Sequence, residues 1–245
     1  MTTTSTSFSI LPFDNSFIQL MQIFLKTHFF SNEERKSIIP LNRLHEILPL
    51  LSQEDQDYHS QMQTLGVNDR QSIFVKKFHS FVDTDPRFQK TYSQFILEFL
   101  RPLFPQETSI VVQKTPNLRI SFPGQTALGS RPEEPHDKVI GLHKDSDFGH
   151  HPQEINFIVP LTDMFDTNTI FVEPQVDSNA PWETYQPLTL TVNQCAQVQF
   201  SQLYHYNQIN TTQVTRISLD LRVIPFSVFN EDSNVKPNYF HVYSV

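Results

Sequence analysis

The spacing of apolar positions changes character near residue 108. Upstream, Phe17, Leu20, Met21, Phe24 and Leu25 recur at the interval of one helix face, and so do Leu41, Leu44, Leu48 and Leu51. These two runs predict amphipathic helices. Ile73, Phe74, Lys77, Phe78 and Phe81 predict another, its aromatics facing a core. The clearest helix opens at Asp85-Pro86, where a capping side chain precedes a proline whose fixed φ suits the first turn. It carries Phe88, Tyr92, Phe95, Phe99 and Leu103 on one face, and Pro102 and Pro105 mark its end.

Downstream the pattern turns into short β-rich runs at residues 109–112, 117–122, 138–142, 155–161, 169–172, 188–192, 197–200 and 216–223, separated by turn-rich segments. Many short strands without helical patterns between them predict an antiparallel sandwich or barrel, with a jelly roll among the options. The expected class is therefore α+β. A helical N-terminal part, 1–108, packs on a β core, 109–245, in a single structural domain. No internal repeat or low-complexity tract interrupts either part.

Composition narrows the function classes. A chain of 245 residues with 22 Phe and only 18% charged residues suits a folded body with a deep apolar interior. The net charge of -8, with Lys and Arg scattered rather than clustered, speaks against a nucleic-acid partner. Cys195 is the only cysteine, which excludes an intramolecular disulfide and a cysteine-based zinc site and suits a cytoplasmic setting. No basic residue precedes the first apolar stretch and no apolar run approaches a membrane span, so neither secretion nor a membrane is expected.

Candidate chemistry lies in the β-rich half. His143 and Asp145 are two residues apart, so on a strand both project from one face and can touch one metal ion. His205 follows another apolar run, and antiparallel pairing brings such distant positions together. Two imidazoles and one carboxylate on one side of a metal leave three positions open, the arrangement of non-haem Fe(II) oxygenases. Residues 216–223 alternate cleanly, with Arg216, Ser218, Asp220 and Arg222 on one face and aliphatics on the other. That polar face lies either in water or inside a barrel. In the second case Arg216 offers a fork to a carboxylate and Ser218 adds a hydroxyl.

In this order the motifs resemble the Fe(II)- and 2-oxoglutarate-dependent oxygenase superfamily, whose pattern is His-x-Asp, a distant His, then Arg-x-Ser about ten residues later. Residues 141–162 and 205–225 look most like the small bacterial oxygenases of antibiotic and amino-acid modification, including streptomycin-biosynthesis-type members. The resemblance covers roughly residues 109–225. It implies a double-stranded β-helix, with His143, Asp145 and His205 as catalytic iron ligands and Arg216 with Ser218 gripping the distal carboxylate of 2-oxoglutarate. The implied reaction consumes dioxygen and 2-oxoglutarate and hydroxylates an amino acid or small specialised metabolite. Asp145 disfavours a halogenase, in which that carboxylate is replaced.

Other positions carry two readings each. Asn156 either aims its amide at the cosubstrate or makes a cross-strand hydrogen bond. Arg119, alternating with apolar neighbours, either holds an anionic substrate group or faces outward. Arg222 shares the parity of Arg216, and a salt bridge with Asp220 or another acid is the simpler expectation. Trp182 and Tyr185 sit in a polar, Pro-rich segment that either covers the site or packs as a plain loop. His150 and His151 read as loop residues, and Glu154 lacks the His-x-His companion of a cupin-type site. A silent jelly-roll binding protein and a cupin dioxygenase without 2-oxoglutarate stay as rivals, separable by whether the chain binds metal and cosubstrate.

Overall fold

The computed structural model describes residues 7–13, 16–30, 39–64, 72–125, 140–229 and 240–244. Among the described residues, four α-helices precede the β-rich half: α1 Ser16–Phe29, α2 Gln53–Thr64, α3 Ile73–Thr84 and α4 Pro86–Phe95. The start of α3 is fixed by Ser72, whose side chain accepts from the Val75 amide. Asp85 caps α4 by accepting from the Arg87 amide at 2.9 Å, with Pro86 in the first turn as the sequence predicts. Past Phe95 the helix widens into one π turn, Ile96–Leu100, and tightens into a 3-10 turn, Arg101–Leu103. Among the described residues, no helix is long and apolar enough to cross a membrane.

The described residues form two antiparallel sheets. The strands are β1 Phe8–Pro12, β2 Ser109–Gln113, β3 Asn117–Ser121, β4 Ile140–His143, β5 Ile155–Pro160, β6 Ile170–Val172, β7 Gln186–Pro187, β8 Gln194–Val198, β9 His205–Asn207, β10 Arg216–Pro225 and β11 Phe240–Ser244. The larger sheet runs β1-β8-β5-β10-β2-β11, with β3 also on β10, and the smaller runs β4-β9-β6-β7. β10 is the spine: Arg216 to Asp220 pair with β3, Val223 to Pro225 with β2, and Ser218 to Val223 with β5 on the other side.

Strand parity explains the layering. Ile217, Leu219, Leu221 and Val223 of β10 join Phe157 and Val159 of β5 in one core with Phe17, Met21, Phe74, Phe78 and Phe95 of the helices. Helices therefore cover one face of the larger sheet. Ile158 of β5 and Ala196 and Val198 of β8 point the other way and meet Ile170 and Val172 of β6 in a second core between the sheets. Aromatic packing dominates the helical layer, with Phe17 stacked on Phe95 at 4.4 Å and Phe78 edge-on to Phe81 at 5.2 Å. Each such buried ring contributes about 1.5–3 kcal/mol through its removal from water. The buried Tyr92 hydroxyl donates to the Gln113 carbonyl at 2.8 Å and ties α4 to β2.

The structure departs from the sequence expectation in several places. Residues 41–50 form a 3-10 helix rather than an α-helix, interrupted at Arg43 and carrying Pro49. Leu41, Leu44 and Ile47 are buried there at the three-residue period of that helix, so Ile47 takes the place expected of Leu48. In α1, Leu20 is exposed and Ile18 buried. Helix α2 is polar and shows no apolar stripe; Lys77 reaches across from α3 to Asp55 at 2.7 Å. β1, from the part expected to be helical, pairs with β8 as an edge strand. The run 188–192 is no strand and holds a single bridge, Met164 to Leu190. Residues 138–139 of another expected strand lie outside the described residues.

Candidate metal centre

His143 ends β4 and His205 begins β9, and the two residues face each other in the register of the smaller sheet. Asp145 lies beyond the strand, at the start of the 3-10 turn Asp145–Phe148. The expectation of one shared strand face is thus replaced by a strand end and a turn, and the three side chains still converge. The Asp145 amide donates to the Phe200 carbonyl at 2.8 Å, which locks the turn against the chain segment leading to β9. Asp145 Oδ1 lies 3.6 Å from His143 Nε2 and 3.7 Å from His205 Nε2. One ligand atom from each of the three residues falls within 4.8 Å of the others, a group able to hold a metal ion.

Both imidazoles are oriented by the backbone. His143 Nδ1 contacts the Gly141 carbonyl, and His205 Nδ1 lies 3.2 Å from the Leu203 carbonyl. A carbonyl only accepts, so each Nδ1 donates to it, and Nε2 is the atom each ring turns toward Asp145. Phe200 stacks on the His205 ring at 4.0 Å, and the largely exposed Phe148 stands edge-on to His143 at 5.0 Å. Neither phenylalanine was singled out in the sequence; the run ending at Phe200, five residues before His205, was the available signal.

The polar face of β10 forms the opposite wall. Arg216, Asp220 and Arg222 line a cavity together with His143, Asp145 and His205. All four polar residues of that face are buried, so it lies inside the protein. The buried Ser218 hydroxyl, one pair along from Arg216, has no hydrogen-bond partner among the described residues. Arg119 of β3 also lines the cavity, with Nη2 3.4 Å from Asp220 Oδ2.

Asn156 takes the cross-strand alternative. Its amide donates to Asp145 Oδ2 at 3.3 Å and to Asp220 Oδ1 at 3.2 Å, so both hydrogens go to carboxylates and neither to the cavity. The residue stands opposite Arg222 in the register of β5 and β10 and braces two acids there. Arg222 does more than pair with Asp220, 3.6 Å away. Its Nη2 donates to Asp145 Oδ2 at 3.2 Å, and its Nε sits 2.7 Å from Glu154 Oε1. Glu154 also meets His150 Nδ1 at 3.1 Å, so the acid that lacked a companion in sequence has two partners in space. Trp182 and Tyr185 pack with Phe171 and Tyr206. Tyr206 alternates with the cavity-lining His205 and Asn207, which puts this loop on the outer face of the smaller sheet, away from the site.

Burial sets the charge states. It is the strongest single influence on Asp145 and opposes ionisation, but His143 and the Arg222 guanidinium outweigh it and hold the carboxyl well below the usual carboxylate range. Asp220 follows the same pattern: burial raises it, and Arg222 and Arg119 more than compensate. Burial pushes His205 from 6.5 down to about 4, against the pull of Asp145. Between these values the unfolded chain takes up a proton that the folded one refuses. Stability linked to His205 is therefore complete above pH 6.5 and lost as pH falls toward 4. Urea unfolding of the metal-free protein should show a loss of about 2–3 kcal/mol between pH 7 and 4.5 that His205→Asn does not share. Equal losses in both proteins would remove His205 as the cause.

No family model matches the chain. The streptomycin biosynthesis protein StrG of Streptomyces griseus is 23% identical over 171 residues, covering 70% of this chain and 72% of that protein. Among solved structures, a non-heme monooxygenase, ThoJ in complex with nickel, overlays with a TM-score of 0.44 at 13% identity, over 91% of this chain and 75% of its own. Apo HygX from Streptomyces hygroscopicus overlays with a TM-score of 0.42 at 12% identity, over 93% and 85%. The alpha-ketoglutarate-dependent carbocyclase SnoK from nogalamycin biosynthesis gives 0.36 at 10% identity, over 55% and 63%. At these scores the overlays carry no weight for the site, which rests on the geometry of the chain itself.

Proposed function

We propose that this protein is a non-haem Fe(II)- and 2-oxoglutarate-dependent oxygenase that hydroxylates an amino acid or small specialised metabolite, with succinate and carbon dioxide as co-products. The observation that carries the reading is the convergence of His143, Asp145 and His205, with Asp145 Oδ1 3.6 and 3.7 Å from the two Nε2 atoms, beside a buried arginine wall. Two imidazoles and one carboxylate suit Fe(II), and backbone carbonyls on both Nδ1 atoms supply the orientation that such ligands need. The alternation of strands between sheets supports a double-stranded β-helix: β3-β10-β5-β8 lie in one sheet and β4-β9-β6-β7 in the other. The core shared by helices and sheet supports a single domain in which 1–108 packs on 109–245.

Each residue then has a task. His143, Asp145 and His205 hold Fe(II), which when bound supplies the activation of dioxygen. Arg216 presents a buried positive charge to the distal carboxylate of 2-oxoglutarate, and the unpartnered Ser218 hydroxyl is a donor for the same group. Arg119, held by Asp220, lines the cavity where an anionic substrate group would dock. Phe200 and Ile158 keep the wall apolar near the imidazoles and limit the entry of water.

An anaerobic titration with Fe(II) and then 2-oxoglutarate tests the reading. A visible charge-transfer band should grow only when both are present, and should be absent from His143→Ala. Iron binding without a band would favour a cupin-type enzyme; no binding of either would favour a silent jelly-roll protein.

A further inference from the structure

Asp145 uses its two oxygens differently. Oδ1 faces both Nε2 atoms, while Oδ2 accepts from Arg222 Nη2 at 3.2 Å and from Asn156 Nδ2 at 3.3 Å. Arg222 is held in turn from behind by Glu154, which is 1% exposed and lies 2.7 Å from Nε. Beside it, His150 reaches Glu154 at 3.1 Å. Asp145, His150 and Glu154 on their own stand close enough together to hold a cation. The Arg222 guanidinium sits between Glu154 and Asp145, so a cation is already built into that position.

We propose that Arg222, anchored by Glu154, is a positioning residue that reserves Asp145 Oδ2 and leaves Oδ1 alone for the metal. The inference rests on the metal-centre reading above and adds to it a reason why three positions stay open. A carboxylate binds metals through one oxygen or through both. If Asp145 turned both oxygens to the ion, one of the positions needed by cosubstrate and dioxygen would be filled. Two donors on Oδ2 oppose that turn, and the charge of the buried Glu154, 2.7 Å from Nε, holds the guanidinium in place against it.

Mn(II) is the probe, read by the water-proton relaxation of the full-length protein per bound ion. This counts the exchanging waters on the metal and is independent of turnover. The variants are Arg222→Gln and, because that change leaves Glu154 buried without its cation, the double variant Arg222→Gln/Glu154→Gln, which removes both charges at once. In either, relaxation per bound Mn(II) should fall by about a third, since one of three open positions is taken by the second carboxylate oxygen. Arg222→Lys, with the charge but not the fork, should recover part of the loss. A merely structural role would lower the amount of metal bound and leave the waters per bound ion unchanged. That result in the double variant overturns the proposal. If wild type binds no Mn(II), or binds it equally in His143→Ala, the metal-centre reading itself fails and this inference with it.

Discussion

His205→Ala should lower Fe(II) affinity by more than about 100-fold under anaerobic conditions, because it removes a ligand rather than one of the outer partners whose loss typically costs about 10–100-fold. His143→Ala should do the same. Both imidazoles are oriented by backbone carbonyls and directed at Asp145, so truncating either removes one of the two rings that face its carboxylate. The helical layer packs on the far side of the larger sheet and should survive both changes, leaving the far-ultraviolet signal of α1, α3 and α4 intact. His205 also stacks on Phe200, so some local loosening near β9 is expected in that variant. Iron affinity within a few-fold of wild type in either protein would remove that residue from the ligand set.

Arg216→Ala should separate cosubstrate from metal. Arg216 is 1% exposed and lines the cavity, and truncating one member of a buried charged pair costs about 2–5 kcal/mol, which is roughly 30-fold or more in affinity. The affinity for 2-oxoglutarate should fall by that factor, with Fe(II) binding unchanged, because the proposed metal ligands are His143, Asp145 and His205 and Arg216 is not among them. The charge-transfer band would still form, at higher 2-oxoglutarate concentration. An unaltered requirement would transfer the carboxylate grip to Arg119, the other arginine at the cavity that is not engaged with Asp145.

Much of this arrangement was legible in local pattern. The parity of residues 216–223 separates an aliphatic from a polar face; the aliphatic side meets helices, and the polar side, which alternation alone left between water and a barrel interior, faces the cavity. The cap and proline at Asp85-Pro86 located a helix start because that signal is contained in two residues. What could not be read depends on distance along the chain. β9 has three residues, too few for any period, and exists because β4 and β6 flank it. The contact between Arg222 and Asp145 spans 77 residues, and alternation places the arginine on the right face without saying which acid it meets. Trp182 and Tyr185 went to the outer side of the smaller sheet because Phe171 and Tyr206 offered aromatic surface there. Helix α2 was missed because it buries too little to show a stripe.

Because β10 is lined by helices on one face and by the cavity on the other, heritable variation along it is sorted by parity. A change at Ile217, Leu219 or Leu221 is felt first as the amount of folded protein, and a change at Arg216, Ser218 or Asp220 as what that protein does. Selection for abundance and selection for chemistry thus act on alternate letters of the same word. A descendant lineage could drift to a new substrate through the even positions while the odd ones preserve its fold.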